Sequence, residues 1–284
     1  MHKYSTGSAL LRQSAVSHPV KPLLPIIFIA LVTCRLTAAP FTAFRDGETF
    51  TYKVGFAFFL HAGDIIISAH DDRSDGHDIM LVTTDTRSNG MVRSLYAFEN
   101  KAEVAIDRTT SRLLSVSAKG SDPKRATDNE LVIDYGKRIA VYTDRVRPEK
   151  SLTQPLPEGD PIDLISALVQ TRDWNLEPGQ KRDLLINFEE EFYELSIWAD
   201  HYEDVVTPLG RFHTLVLIPR MEKSPKGLFK RGGEIKVWIA QDGSRLPVKM
   251  QLKLKVGSAT LLLSKYEVPP PLPAKPDPCS RSAF

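Results

Sequence analysis

Histidine and aspartate side chains concentrate between His70 and Asp78, where the sequence reads HDDRSDGHD. Carboxylates spaced ahead of a glycine are typical of calcium loops, which need oxygen ligands at the third and twelfth positions of the loop. Counted from Asp71, those positions hold Arg73 and Val82, and neither side chain can ligate calcium. We therefore interpret the segment as a solvated turn and predict no metal site.

Hydrolytic enzymes that form covalent intermediates need an activated nucleophile, and the sequence contains no Gly-x-Ser-x-Gly motif. Its two cysteines, Cys34 and Cys279, both lie close to the ends of the chain. His201 and His213 fall outside any His-Glu-x-x-His pattern, so a zinc hydrolase is not indicated. We predict no catalytic residue and no cofactor, and the sequence leans away from an enzyme.

A pair of carboxylates about 5–10 Å apart could still hydrolyse a glycosidic bond. Candidates in the sequence are Glu48, Asp64, Glu99 and Glu103. Residues 40–219 contain 30 acidic side chains, so the choice of these four is arbitrary. A carboxylate-dependent enzyme therefore stays an alternative without an assigned site.

Positive charge is concentrated near the end of the chain, since residues 220–265 contain 11 basic and 3 acidic side chains. Four lysines occupy alternate positions of two predicted strands and should share one sheet surface: Lys236, Lys249, Lys253 and Lys255. Such a surface could contact anionic lipid headgroups or glycans. The alternative is a solvated surface that prevents pairing between sheet edges. The overall net charge of +2 and the lack of interleaved stacking residues do not favour nucleic acid.

Aromatic side chains offer a second candidate site. Phe50, Tyr52, Phe56 and Phe58 alternate along one predicted strand, and Trp198 and Trp238 lie in others. If the sheet encloses unfilled space, these side chains should line an apolar cavity for a lipid or acyl chain; the alternative is ordinary core packing. Asn89 to Tyr96 breaks the alternation, so this loop should cover the cavity mouth. The predicted ligand-binding residues are Tyr52, Phe56, Arg93, Tyr96, Trp198 and Trp238.

Strict alternation of apolar and polar residues predicts eleven or twelve strands between these positions. One helix is predicted from Pro161 to Arg172, with Asp160 as its N-cap. Many short antiparallel strands must bury their edges, which favours a barrel or a strongly curled sheet. The predicted fold is an all-β, barrel-like or strongly curled antiparallel sheet with one helix, a single domain over residues 40–267.

Both ends of the chain differ from this domain. Residues 1–39 combine basic residues, the apolar run Leu23–Val32 and small residues before Pro40, which predicts a secretory signal peptide. An alternative lipoprotein signal would end before Cys34 and leave that cysteine as a lipid anchor. Residues 268–284 contain six prolines and predict a disordered tail in which Cys279 has no assigned role. We expect export to the periplasm or cell envelope.

Five segments carry a resemblance to a known family. They read GETFTYKVGFAFFLHAGDI, NGMVRSLYAFENKAEVAID, DPIDLISALVQTRDWNLEPGQ, TPLGRFHTLVLIPRM and GEIKVWIAQDGSRLPVKMQLKLKVGSATLLLSKYE. The chain resembles a bacterial exported family catalogued as domain of unknown function 3108, over about residues 46 to 267. The resemblance implies an envelope or periplasmic β protein and supplies no activity and no catalytic residues.

The function favoured by these features is non-catalytic binding of an amphipathic or anionic envelope molecule, either a lipid or a glycan, with possible peripheral membrane contact. The alternatives are an enzyme acting on an envelope glycan or lipid through carboxylates, and a structural scaffold. An apolar cavity would support the first, a polar cleft with two acids the second, and a filled interior the third. The sequence does not indicate an oligomeric state.

Overall fold

Fifteen β-strands make up a single sheet in the computed structural model, within the residues that it describes: 42–56, 59–74, 76–223, 229, 233–254 and 257–268. These residues belong to one compact unit, Thr37–Phe284. The predicted signal peptide, Cys34, Lys255 and Cys279 lie outside the described residues, as does the Pro-rich tail after Val268.

Alternating apolar and polar residues form the strands, as the sequence predicts. Their bounds are β1 (Thr49–Phe56), β2 (Phe59–Ser74), β3 (His77–Ser88), β4 (Glu99–Asp107), β5 (Leu113–Asp122), β6 (Arg125–Asp134), β7 (Ile139–Asp144), β8 (Leu152–Pro155), β9 (Ile162–Asp163), β10 (Lys181–Phe188), β11 (Glu191–Thr207), β12 (Gly210–Arg220), β13 (Glu234–Ala240), β14 (Pro247–Leu254) and β15 (Gly257–Glu267). The segment interpreted as a turn from His70 to Asp78 mostly continues β2 and β3, whose hairpin turns at Gly76.

Nearly every strand pairs with its neighbours in sequence. The order across the sheet runs from β8 back to β1, then from β15 back to β9. β1 pairs antiparallel with β15, so the two ends of the described unit meet, with Thr49 opposite Glu267. All described pairs are antiparallel except β9 with β10. Residues from β1–β8 and from β9–β15 share one core cluster, so the sheet curls around a common interior. The strand order ends at β8 and β9 without pairing them, so the sheet stays open. This confirms the predicted fold class.

The sheet is open between β8 and β9, and we call this gap the seam. Side chains bridge it where backbone ladders do not. Gln154 Nε2 donates to the Glu190 carbonyl at 2.6 Å, and Arg125 pairs with Glu189 at 2.9 Å. Both edge strands are short, with four and two residues, which limits pairing with other chains.

Two α-helices accompany the sheet in the described residues, α1 (Gly90–Leu95) and α2 (Leu164–Gln170). A turn of 3-10 helix, Thr171–Asp173, extends α2, and a second 3-10 turn covers Pro148–Lys150. The predicted helix therefore starts three residues later than expected. Its N-cap is Asp163, whose Oδ1 accepts hydrogen bonds from the Ile165 and Ser166 amides at 2.9 and 3.0 Å. The residues before it extend because they pair with β10 as β9.

The interior of the curled sheet is filled at one end. Phe50 and Tyr52 of β1 are fully buried, and the Tyr52 hydroxyl donates to the Pro247 carbonyl at 2.8 Å. Desolvation raises the pKa of the Tyr52 phenol. Leu263 lies opposite Tyr52 and is likewise fully buried. The next inward residue of β1, Val54, is only half-buried, so the packing loosens toward the other end.

A buried ion pair closes the filled end. The Arg172 Nη1 atom lies 2.8 Å from Glu48 Oε1, and both side chains are almost wholly removed from solvent. Arg172 also donates to the Ala43 carbonyl at 3.0 Å, while the Tyr266 hydroxyl donates to Glu48. The pair therefore joins the segment before β1, the end of α2 and the last strand.

Candidate functional site

The end of the curled sheet opposite the filled end encloses a cavity of about 930 Å³. Its walls come from β1 to β3 and β11 to β15 on the sheet side and from α2 on the other, with α1 at the mouth. Aliphatic side chains that face inward at alternate strand positions form most of the wall: Val54, Ile65, Leu195, Ile197, Leu217, Val237, Met250, Leu252 and Leu261. One face of α2 completes it with Leu164, Ile165, Ala167 and Leu168.

Polar groups are few among the described lining residues. They are Thr86, Arg87 and Ser88 at the end of β3, Tyr96 after α1, and Thr171 after α2. Arg87 is the one charged residue among them and its side chain is exposed, because Thr86 and Ser88 occupy the inward positions of β3. An unpaired charge buried in apolar surroundings is strongly unfavourable. The cavity therefore suits the uncharged, apolar part of a ligand.

Helix α1 lies at the mouth with none of its side chains buried. Its start is tied to β2 through the backbone, with the Asn89 amide donating to the Ala62 carbonyl at 2.8 Å. Large apolar side chains stand in water here: Leu60 is 94% exposed, Leu95 72% and Met91 69%. Leu95, Tyr96 and Leu164 also line the cavity, while Leu60 and Met91 adjoin the lining residues Phe59 and Val92. We call Leu60, Met91, Leu95, Tyr96 and Leu164 the apolar rim.

The structure brings some predicted ligand-binding residues to this cavity. Phe56 and Tyr96 line it. Arg93 is on α1, exposed, with Nη2 3.2 Å from Glu99 Oε2. Tyr52 is not part of the wall, because it belongs to the filled end of the interior.

Trp198 and Trp238, which the sequence places at the cavity, are not among its lining residues. Ile197 and Val237 face the cavity, so the next residue along each strand lies on the opposite face of the sheet, where Trp238 is also buried. The Trp238 indole donates to Glu203 Oε2 at 3.0 Å, and the Trp198 indole donates to Glu222 Oε1 at 3.2 Å. Sequence reasoning found aromatic residues in strands without fixing which face of each strand was inside.

The predicted lysines occupy the opposite, outer face of the sheet. Lys236, Lys249 and Lys253 lie out of phase with the inward Val237, Met250 and Leu252. The Lys249 ammonium lies 4.0 Å from the centre of the Trp238 ring. Lys253 is exposed, with its ammonium 3.7 Å from Glu234. Lys236 lines a smaller pocket of about 460 Å³ on that side.

The four candidate acids are engaged elsewhere and none lines the cavity. Glu48 is bonded to Arg172, and Glu103 lies 2.8 Å from Lys101. Asp64 Oδ1 lies 2.8 Å from His61 Nε2, and Glu99 pairs with Arg93. Within the described ranges, no group of three His, Cys, Asp or Glu side chains is arranged to hold a metal ion. Neither described helix has the length and apolar character of a membrane span.

Sequence reasoning missed the aliphatic majority of the wall. A signal for part of it existed, since Val248 to Val256 alternates and predicts an inward face with Met250 and Leu252. The apolar stripe of the predicted helix likewise contains Ile165 and Leu168, which line the cavity. Alternation identifies an inward face but does not say whether the space in front of it is filled.

Comparisons with known proteins bear on family and fold. Residues 51–264 match the model of a family described as a protein of unknown function (DUF3108). A β-barrel-like protein of domain of unknown function DUF1849 from Brucella abortus is similar, with a TM-score of 0.50 at 8% identity over 79% of this chain and 98% of that chain. At that identity the likeness concerns the fold alone.

Two further solved structures are more distant. One is a protein from Bacteroides fragilis described as exported and YmcC-like in fold, with a TM-score of 0.34 at 9% identity over 81% of this chain and 100% of that one. The other is a predicted lipoprotein from Parabacteroides distasonis, with a TM-score of 0.28 at 9% identity over 81% and 99%. No curated protein matches the chain.

Proposed function

The chain belongs to the DUF3108 family, whose function is unknown, and we propose that it binds the hydrocarbon part of an amphipathic lipid in its apolar cavity. The observation that carries the proposal is the cavity of about 930 Å³ with an almost wholly aliphatic and aromatic wall. Its volume lies near the upper end of the range of about 300–1,000 Å³ for small-molecule sites. An acyl chain matches both the size and the chemistry.

Burial of the hydrocarbon supplies the binding energy. Transfer of apolar surface out of water is worth about 25 cal/mol per Å², so an acyl chain of a few hundred Å² gains several kcal/mol. The described wall offers no buried cation that could hold a carboxylate or phosphate. The polar head of the ligand therefore stays at the mouth, near Thr86, Ser88 and Tyr96.

The same features argue against the enzyme and the scaffold. A glycosidase needs two convergent acids in its cleft, and the described wall holds none. An unfilled cavity destabilises a protein, because its lining residues lack packing contacts. A scaffold has no use for such a cavity. We place the function in the cell envelope, because the sequence predicts a signal peptide and resembles an exported family.

The test is native mass spectrometry with lipid extraction on protein purified gently from a bacterial envelope. We expect the wild-type protein to carry lipid, and the Val54→Trp variant to lose most of it because the indole fills the cavity. Lys53→Trp is the matched control, since it places the same side chain on the exposed face of the same strand. Lys53→Trp should retain lipid as the wild type does.

Two results would contradict the proposal. One is a wild-type protein that is empty after purification and takes up no phospholipid on incubation with vesicles. The other is a folded Val54→Trp variant that carries as much lipid as Lys53→Trp. Circular dichroism and a cooperative unfolding transition establish that each variant is folded.

A further inference from the structure

The apolar rim exposes more hydrophobic surface than stability alone explains. Leu60, Leu95 and Met91 are three of the four most exposed large hydrophobic side chains in the described part of the chain. They come from two different elements, the start of β2 and helix α1. Exposed apolar patches at one place mark sites of contact with proteins, ligands or membranes.

The rim is continuous with the cavity. Leu95, Tyr96 and Leu164 are each exposed on one side and line the cavity on the other. An apolar path therefore runs from the inner wall to the outer surface without an intervening charged side chain among these residues. A hydrocarbon chain that leaves a bilayer through this path stays in contact with apolar side chains instead of water.

The charges beside the rim suit a phospholipid surface. Asp64 is hydrogen-bonded by the His61 ring at 2.8 Å and by the Asn89 side-chain amide, and Glu99 forms an ion pair with Arg93 at 3.2 Å, so both carboxylates are held by protein partners. Arg87 is exposed at the end of β3, and no ion pair among the described residues includes it. An exposed guanidinium next to an apolar patch complements the phosphates that border the hydrocarbon of a bilayer.

The occupant of the rim follows from its shape and composition. Helix α1 buries none of its own side chains, and its apolar Met91, Val92 and Leu95 would gain burial in the headgroup region. Tyr96 adds an aromatic ring with a polar tip, the side-chain type that favours membrane interfaces.

We propose that the apolar rim is a membrane-docking surface, on which the protein rests its cavity mouth against a lipid bilayer while lipid enters or leaves. The inference rests on the proposed lipid-binding function and adds the route of exchange. It is also separate from the outer lysine face, which lies on the other side of the sheet wall.

The test uses phosphatidylcholine vesicles that contain phosphatidylglycerol and a pyrene-labelled phosphatidylcholine. Flotation measures the fraction of protein bound, and pyrene fluorescence measures transfer to unlabelled acceptor vesicles. We expect the double variant Leu60→Asp/Met91→Asp to lower both by about tenfold or more, since it places two charges in the interface at rim positions outside the cavity lining. Val206→Asp is the matched control, because Val206 is 65% exposed in β11 and does not line the cavity.

Native mass spectrometry of the same variants separates the two proposals. A double variant that still holds lipid but neither floats nor transfers it supports the docking surface. Rim-dependent vesicle binding by a wild-type protein that never holds lipid would support docking while contradicting the lipid-binding function. Unchanged flotation and transfer in the double variant would overturn the docking surface. Loss of vesicle binding in Lys249→Glu/Lys253→Glu, with binding retained in the double variant, would overturn it as well.

A second measurement does not depend on introduced charges. In Tyr96→Trp the new indole reports on its surroundings through its fluorescence. We expect a blue shift when vesicles are added and quenching by brominated acyl chains. The absence of both, with vesicles present at saturating concentration, would contradict the docking surface.

Discussion

Glu48 is one of the four candidate acids, and its surroundings are those of a structural carboxylate. It accepts hydrogen bonds from Arg172, from the Tyr266 hydroxyl and from the Arg45 amide. Both of its oxygens accept hydrogen bonds from the protein, and the side chain is fully buried, so a substrate in solvent does not reach it. Desolvation and the hydrogen bond to Glu48 raise the pKa of Tyr266.

Asp144 gives a prediction for the dependence of stability on pH. Burial alone would raise the pKa of its carboxyl group, but hydrogen bonds from Arg147 and Val146 outweigh burial and hold the pKa below 3.8. The Arg147 amide and Nη2 lie 2.8 and 2.6 Å from the carboxylate. A group with a lowered folded pKa stabilises the protein above its unfolded pKa, about 3.9, and loses that effect as the pH falls through the folded value.

Asp144→Asn should therefore lower the free energy of unfolding by about 2 kcal/mol at pH 7, since hydrogen bonds to charged groups contribute about 1.5–3 kcal/mol. The difference in free energy of unfolding between variant and wild type should shrink as the pH falls below about 4, because protonation of Asp144 then removes the carboxylate charge from the wild type. Urea denaturation between pH 3 and pH 7 measures it, with Asp85→Asn as an exposed control. A difference that stays constant with pH would show that the carboxylate charge is not involved.

At the scale of the strands, close approach of two backbones sets a requirement at Gly63. A Cβ atom at this position would lie 2.4 Å from the Arg87 carbonyl oxygen in the neighbouring strand. Gly63 and Arg87 both border the cavity, so the approach fixes the wall where β2 meets the end of β3.

Gly63→Ala should destabilise the protein by about 1–3 kcal/mol, because the two strands must separate to admit the methyl group. Gly243→Ala is the matched control, since nothing lies within 4 Å of its Cβ position. Thermal unfolding of both variants checks the prediction. Equal melting temperatures for the two would mean that the strands adjust without loss of stability.

The alternation of apolar and polar residues along the strands explains how much of the fold and the site could be predicted. It identified the strands and the curled sheet, because one wet face and one dry face leave a period of two in the sequence. It predicted Phe56, Trp198 and Trp238 at a cavity, and of these three Phe56 is among the lining residues, since an aromatic residue in a strand faces out as readily as in. Tyr96 was placed there by the break in alternation after Asn89, and it does line the cavity. α1 left no periodic signal, because none of its residues is buried.

Lengths of strands and the start of α2 depend on tertiary contacts. The polar residues of β2 after Ala69 lack a buried face, so the sequence indicates a turn where the hairpin in fact continues. Asp160 and Asp163 are equally good caps by type. Pairing of Ile162 with Ile186 in β10 keeps the chain extended and makes Asp163 the cap.

At the scale of the whole molecule, the interior is divided into a filled and a hollow half. Residues of β1 pass from fully buried Phe50 and Tyr52 to the cavity-lining Val54 and Phe56 on one face of the same strand. The buried Glu48–Arg172 pair closes the filled half. The hollow half contains the space in which we propose that a lipid binds.

The strand order also has a consequence for the order in which the chain can assemble. Every pair of adjacent strands is local in sequence except β1 with β15, which joins the two ends of the described unit. A circular permutant could link Val268 to Thr42 and open the chain between Pro155 and Ile162. All fourteen pairs of adjacent strands would then be consecutive in sequence. Because folding rates rise as contacts become more local, the permutant should refold faster than the natural chain and reach the same pairing. In the natural order β1 lacks one of its partner strands until β15 is present, so the sheet cannot be completed before then.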